Sequence, residues 1–593
     1  MLSLALNHYF SGLEPTAFKI TNLLIHLINA VSIFFFVFLS LRLLTVTQDL
    51  PHSPTTLVGT SLAVAAGWAL HPVNLTSVLY IVQRMASLSA LFCLWGMIAY
   101  LLARKRMIEG KPHGGLLILL ALGLGTLFSI AAKENGILLP LLLLVIEWTL
   151  FGFRTVNASD RRRLTILLYG ATGLPLIAAA IFFITNPGWL ASLYELRDFS
   201  MIERLLTESR VLWIYLGLLL IPRPARFSLF HDDIPISHGL TDPWTTLAAC
   251  AGLIVLFATA LFCRKREPVL SFGILFFFCG HLLESTIFPL EIAHEHRNYL
   301  PSVGVFMAVF YYLMKAPVKI GNIHLGRTAI PLVILFLSLI TWNRASIWAT
   351  PLDLALVNLE SHPNSPRWQF ETGRVYEELS LHQNKRGKEL ANLAINHFQQ
   401  AARLGGDHQA AGLIAIVHMS TIHKRDISTS LLDELNDALS NAKVGATSIL
   451  NLEQLTLCVA HQECYLPYET IENFHESVMA NPVISRSARG RLKADLAQLA
   501  LNIGRPSDAL DLLQQAVEDN PAHVQHYLNL AYVQILLGQT QAAEITLADA
   551  SAHDRFGNNE TRITAIVKQL DKAKAKRDTN ANKAQPDNNL KVN

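Results

Sequence analysis

Residues 20–41 read ITNLLIHLINAVSIFFFVFLSL, twenty-two consecutive positions whose only ionisable side chain is His26. As a helix rising 1.5 Å per residue this run is about 33 Å long, enough to cross a hydrocarbon layer of about 30 Å. Moving outward, apolar runs recur at 57–71, 85–103, 114–132, 136–152, 164–185, 244–263, 269–288, 300–315 and 327–342. Composition agrees: charged residues are 16% and hydrophobic residues 51%, against about 25% charged in soluble domains. The lipid bilayer is therefore the first expected partner. A net charge of +3, with its basic residues in short clusters beside apolar runs, argues against a nucleic-acid partner.

Those clusters set an orientation. Arg104–Arg106, Arg154 with Arg161–Arg163, Arg264–Arg266, and Lys315 with Lys319 and Arg327 all belong on the cytoplasmic side if basic loops stay inside. Alternation then predicts that Val211–Ile221 does not span, in keeping with Pro222 and Pro224 after it and Glu203, Arg204, Glu208 and Arg210 before it. The N-terminus, His71–Arg84, Lys133–Asn135, Pro187–Asp242, Glu291–Tyr299 and everything beyond Trp342 fall on the non-cytoplasmic side. Met1–Pro15 has no basic region followed by an apolar core, so no cleavable signal is expected there.

The C-terminal region repeats itself at an offset of 34: Leu496/Leu530, Ala497/Ala531, Gly504/Gly538, Ala509/Ala543, Leu513/Leu547 and Ala516/Ala550, with Pro521 closing the first unit. Small residues at a helix crossing, glycine at the turn and a closing proline are the tetratricopeptide pattern. The expected fold is all-α, a polytopic transmembrane helical bundle followed by a soluble α-solenoid, with domains at 1–345 and 346–565 and a disordered tail over 566–593. Such a solenoid offers a concave groove to a peptide or protein. Of six cysteines, Cys458 and Cys464 alone lie in this part; free thiols on a helix are the preferred reading and a disulfide the alternative.

Several polar residues sit where membrane packing does not ask for them. His71 follows a span and serves either as an interfacial anchor or in a site. Lys133 and Glu134 join two apolar runs with almost no loop, giving a solvated hairpin or a holder for an anionic head group. Glu291, His294, Glu295, His296 and Arg297 form the densest cluster; positions i and i+2 do not share a helix face, so Arg297 as a phosphate clamp is preferred to metal ligation by the histidines. Asp232 and Asp233 either lie in a solvated loop or hold a hard divalent cation through oxygen.

The stretches GLEPTAFKITNLLIHL (12–27), ALHPVNLTSVLYIVQR (69–84), KENGILLPLLLLVIEW (133–148) and EHRNYLPSVG (295–304), in this order and followed by the repeats, resemble the C-superfamily membrane glycosyltransferases. More narrowly they resemble the transmembrane and tetratricopeptide-repeat O-mannosyltransferases and their bacterial relatives. The resemblance implies transfer of a sugar from a polyprenyl-phosphate donor to a protein or glycan acceptor on the outer face, the acceptor being engaged by the repeats. It implies donor-phosphate binding by Arg84, Lys133, Glu134 and Arg297, a cavity lined by His71, Asn22, His26 and His296, and a bacterial inner membrane with periplasmic repeats. A divalent metal ion is the one cofactor it leaves open. Two departures stand out: Lys19 occupies a position where the family carries histidine, and the family's first span and acidic outer loop do not precede GLEPTAFK in a sequence that opens at Met1. Either the true start lies upstream of Met1 or the gene is truncated, which are the preferred readings, or Asp232 and Asp233 substitute as the base. The alternatives are a non-catalytic membrane-anchored scaffold for envelope assembly and a glycan polymerase or ligase. A transporter is disfavoured, because the spans show no internal repeat.

Overall fold

In the computed structural model, seven helices among the described residues are long and apolar enough to cross a membrane: Pro15–Thr47, Ile81–Ile108, Gly114–Ala132, Glu134–Phe151, Ala158–Thr185, Thr245–Cys263 and Leu325–Ile347. An eighth crossing is made if the bent pair Pro54–Ala69 and Pro72–Leu79 counts as one span. The 50° bend falls at Pro72, which has no N–H to continue the helix and pushes His71 into extended backbone (φ −81°, ψ 131°). The structure describes residues 2–48, 53–194, 197–320, 323–382, 386–554 and 557–583. Its contacts divide the chain into two compact units, Met1–Pro363 and Asn364–Asn593.

The first unit packs around one apolar core that includes Phe36, Trp68, Tyr100, Leu143, Phe276 and Met307. Glycines let helices approach closely. A Cβ on Gly125 would lie 3.0 Å from the Gly96 Cα, and one on Gly273 would lie 2.8 Å from the Gly304 carbonyl oxygen. Among the described residues the strand pairing is a two-residue antiparallel ladder, Lys319–Ile320 with Ile323–His324.

One expected segment differs from the sequence reading. The run 269–288 does not form one span: its helix is Pro268–His281, only about 21 Å long, and the chain then runs irregularly to Glu291. Ser302–Lys315 is equally short. Irregular backbone within a membrane protein needs its carbonyls satisfied by the protein itself, and here Arg204 does this. Its guanidinium donates to the carbonyls of Glu284 (2.7 Å), Thr286 (3.1 Å) and Leu290 (2.5 Å). Arg204 belongs to the helix Met201–Leu220, which takes in the stretch from Val211 to Leu220 and opens with a capping box between Ser200 and Glu203. This helix is not among those apolar enough to cross a membrane.

The second unit is a run of helical hairpins: Pro366–His382 with Gly387–Leu404, His408–Ile422 with Thr429–Asn441, Ala446–Ala460 with Tyr468–Ala480, Arg486–Asn502 with Pro506–Asp519, and Val524–Leu536 with Thr540–His553. The repeat positions do what their spacing implies. Ala497, Ala509, Ala516, Ala531, Ala543 and Ala550 are all fully buried at helix crossings, and Gly504 (φ +81°) and Gly538 (φ +74°) make the left-handed turns between helices. The stretch expected to be tail from 566 onward instead continues the helix Glu560–Lys583. Ile563, Ile566 and Leu570 share one face and pack on the last hairpin, with Leu570 buried; residues 584–593 lie outside the described residues. Cys458 and Cys464 form a disulfide across a Cα separation of 5.3 Å, which replaces the free-thiol reading.

Candidate functional site

A chain of buried ionic groups lies at the end of the bundle that carries Lys133. The Lys133 ammonium pairs with Glu284 at 2.5 Å, both side chains being buried. Arg204 pairs with Glu208 one helical turn away at 2.7 Å, and Glu208 also faces Arg297 at 3.7 Å. Arg297 donates to the carbonyls of Glu291 (2.5 Å) and Ile292 (2.9 Å), tying down the segment that leads into Glu295–Asn298. The Tyr215 hydroxyl oxygen accepts from the His294 N–H at 2.8 Å. Three cations and two carboxylates thus fix the irregular segment 282–298 onto the helices beside it. Such mutual pairing is what makes buried charge tolerable.

The space beside Lys133 and Arg297 is small. A cavity lined by Ser89, Cys93, Lys133, Asn135 and Arg297 holds about 30 Å³, the volume of one water. A much larger cavity of about 480 Å³ lies against Phe227, Leu229, Arg344, Trp348, Leu354 and Asn358, in the size range of small-molecule sites. Arg344 forms its cationic wall. One guanidinium nitrogen donates to the Pro72 carbonyl and another to Glu295, both at 2.6 Å, and the plane stacks over Phe227 at 4.5 Å. Glu295 is held in turn by the Ser228 N–H at 2.7 Å and faces His231 at 3.8 Å. Ser361 lines the same cavity, and the next residue, His362, bonds Asp233 through Nδ1 at 2.8 Å, with the His231 ring 5.5 Å away. Burial is the largest single influence and pushes the Asp233 carboxyl up, but the His362 bond and charge, a backbone bond and the charge of His231 together outweigh it and hold that carboxyl below its ordinary range.

The residues singled out in the sequence fall into three places. Lys133 and Arg297 meet in the ionic cluster; Glu134 is exposed, and the carboxylate that pairs with Lys133 is Glu284. Arg84 stands elsewhere, donating to Asn22 Oδ1 (2.6 Å) and to the carbonyls of Ser3 (2.9 Å) and Phe18 (3.0 Å). His26 bonds the Tyr299 hydroxyl at 2.8 Å and stacks on Trp68. His71 caps the turn after it through Val73 N–H and packs on Phe306, while His296 stacks on His294. Asp233 meets His362, and Asp232 is exposed. Arg344, Glu284, His281 and His362 were not singled out. Glu284 and Arg344 had a readable signal, since each is an ionisable residue within or just beyond an apolar run.

A hard divalent ion wants six or more oxygen ligands. The groups around His231 and His362 instead offer two imidazoles and single carboxylates already bonded to His362 and Arg344, so they do not fit such an ion. A grouping with metal-binding potential does lie in the second unit. His418, Cys458 and Cys464 place ligand atoms within 4.8 Å of one another, but the two sulfurs are joined in the disulfide, so the grouping could hold a metal only after reduction frees the thiolates; His418 Nδ1 bonds Glu377 at 3.0 Å, the arrangement that orients a ligating imidazole.

Fold and site together define an integral membrane protein, all-α, with a buried ionic cluster at one end of its bundle and a tetratricopeptide solenoid after it. The tetratricopeptide repeat family matches residues 494–559. Among curated proteins, the chain is similar to the human (Homo sapiens) Protein O-mannosyl-transferase TMTC4, 27% identical over 340 residues, covering 51% of this chain and 45% of that protein. The mouse (Mus musculus) protein of the same name is 26% identical over 342 residues with the same coverage. The chain thus spans about half the length of the curated relatives it matches. A solved structure titled TPR2AB-domain:pHSP90-complex of yeast Sti1 matches at 12% identity over 55% of this chain and 99% of that one, with a TM-score of 0.19, too loose a superposition to carry an argument.

Proposed function

We propose that the chain is a glycosyltransferase that takes a sugar from a polyprenyl-phosphate donor and passes it to a protein or glycan acceptor. The membrane part (1–345) would form the donor site and the repeats (346–565) read the acceptor on the non-cytoplasmic side of a bacterial inner membrane. The observation that carries this reading is the 480 Å³ cavity walled by buried Arg344; the similarity to proteins named O-mannosyl-transferases supports it. A planar guanidinium suits a phosphodiester oxygen pair and stabilises the charge that develops as the phosphate leaves. Lys133 and Arg297 add positive potential from behind, but they accept phosphate only if Glu284 or Glu208 gives way. In an inverting step the acceptor hydroxyl attacks the anomeric carbon, the bond to phosphate oxygen breaks, and a base takes the hydroxyl proton. Asp233, kept ionised and oriented by His362, is the base proposed here.

The test uses membranes containing the full chain, a photoactivatable, labelled polyprenyl-phosphate mannose and a protein acceptor. Wild type should be labelled, and R344Q should lose labelling at least tenfold. D233N should keep labelling and lose transfer. Equal labelling of R344Q and wild type would sink the assignment of the cavity. A second reading, a non-catalytic scaffold, is favoured by one observation: Lys133, Arg204 and Arg297 are each already bonded to protein oxygen. Labelling without transfer in every variant would select it.

A further inference from the structure

A second cavity, of about 600 Å³, opens at the opposite end of the bundle from Lys133. Lys133 immediately precedes the span Glu134–Phe151, whereas this cavity begins at the other end of that span and is lined by Trp148, Arg154, Arg161, Tyr169, Arg264 and Lys265. These are the basic residues that orientation places on the cytoplasmic side, drawn from two clusters more than a hundred positions apart in sequence.

Four cations surround one space, and among the described residues none has a carboxylate partner. Glu147, in the span that ends here, is consumed by Arg104 (2.8 and 2.9 Å) and the Tyr100 hydroxyl (2.6 Å); Glu267, two residues past Lys265, takes the Tyr312 hydroxyl at 2.6 Å. Arg264 lies flat on the Trp148 ring at 3.9 Å, which holds its guanidinium edge free for an anion. Like charges gathered without an acid raise one another's free energy unless an anion joins them. The walls say which kind of anion. Ala158–Thr185 is apolar and largely unburied, exposing Leu174, Ile177 and Ile181, and Thr245–Cys263 exposes Val255, Leu261 and Phe262. An anion with acyl chains has a place for both its parts; a soluble anion uses only the first.

We infer that this cavity binds the head group of an anionic phospholipid of the cytoplasmic leaflet, with phosphate between Arg161 and Arg264 and the chains along the exposed faces of Ala158–Thr185 and Thr245–Cys263. Basic pockets between membrane helices on this side hold such head groups, each cation near the surface contributing on the order of fivefold in affinity. The site is separate from the outer cavity and independent of the reaction proposed for it.

The full chain, purified in detergent, is titrated with phosphatidylglycerol, cardiolipin, phosphatidylcholine and inorganic phosphate, and bound lipid is counted by native mass spectrometry alongside the thermal transition. Anionic lipid should be retained and should raise the transition, whereas phosphatidylcholine and inorganic phosphate should not. R161Q/R264Q should weaken phosphatidylglycerol binding roughly 30-fold. R162Q/R163Q, which removes equal charge from the same helix away from the cavity, should stay within about twofold. Arg161 is exposed, so R161Q alone, expected at roughly fivefold, gives the same answer if the double variant does not fold. Equal retention of phosphatidylcholine, equal protection by inorganic phosphate, or equal losses in the two double variants would each overturn the assignment.

Discussion

Replacing Arg204 by lysine should release the segment 282–291 while leaving the membrane spans in place. The guanidinium makes four bonds to carbonyls of that segment, the one to Glu291 being the longest at 3.4 Å, and pairs with Glu208, in a geometry that reaches several acceptors from one rigid plane. An ammonium on a shorter fork can serve at most one or two of them. Two charge-assisted bonds lost, at about 1.5–3 kcal/mol each, remove about 3–6 kcal/mol. Glu208 keeps its contact with Arg297 and the new ammonium, so the full cost of stranding a buried carboxylate is not added. In a unit spanning Met1–Pro363 about 4 kcal/mol corresponds to a fall of roughly 5 °C in the thermal transition, measured on protein in detergent micelles at a fixed scan rate. Local release is read separately by placing cysteine at Thr286 and following its alkylation, which should speed up at least tenfold in R204K at a temperature where both proteins remain folded. A transition lowered by less than about 2 °C together with unchanged alkylation would refute the view that Arg204 holds this segment in place of helical hydrogen bonds.

Other consequences follow from the same structure. R104M should cost about 3–5 kcal/mol by leaving Glu147 buried without its cation, and R104M/E147L should recover most of that; comparing the two transitions checks it. In the solenoid, burial and, next, the nearby Glu453 push Asp495 up to about 7, against a partial downward pull from Arg491. The folded state then holds a proton that the unfolded state has released, so ionised Asp495 destabilises as pH rises from about 4 through 7. D495N should therefore slow amide exchange in Arg486–Asn502 at pH 8, by at most about 4 kcal/mol, and leave it unchanged at pH 4. Reducing the Cys458–Cys464 disulfide opens a short loop and should cost the solenoid about 2 kcal/mol by chain entropy. Zinc added to the reduced protein should restore part of this in wild type but not in H418A, as read from the solenoid's thermal transition.

How much was legible depended on whether a residue's neighbours were near in sequence. The repeats were plain because Ala497/Ala531 and Gly504/Gly538 answer to constraints that recur every 34 positions: a helix crossing with no room and a turn with positive φ. Span ends at Pro72 were equally local. The partner of Lys133 was not, because Glu134 is adjacent while Glu284 is 151 positions away, and only packing brings the latter inward. The same holds for Asp233 with His362, separated by 129 positions. The run 269–288 misled for a different reason. Its hydropathy is that of a span, but hydropathy does not record that Arg204, on another helix, takes over the carbonyls a helix would have used.

The two ends of the bundle show how burial and charge decide what a polar group can do. At the Lys133 end, Arg204, Arg297 and Lys133 are matched against Glu208, Glu284 and backbone carbonyls, so their charge is spent inside the protein and fixes a shape. Arg344 differs only in that its second face meets open space. At the other end Arg104 and Glu147 close on each other in the same way, and beyond them Arg154, Arg161, Arg264 and Lys265 have no carboxylate partner among the described residues. A cation wholly enclosed by its partners supports geometry; one that borders a cavity, whether paired on one side as Arg344 is with Glu295 or without a carboxylate partner among the described residues, is available to a ligand. By that criterion the sequence's densest polar cluster, Glu291–Tyr299, is mainly scaffold. The ligand-facing charge sits on Arg344 and on the basic loops that, in the sequence, served only to set topology.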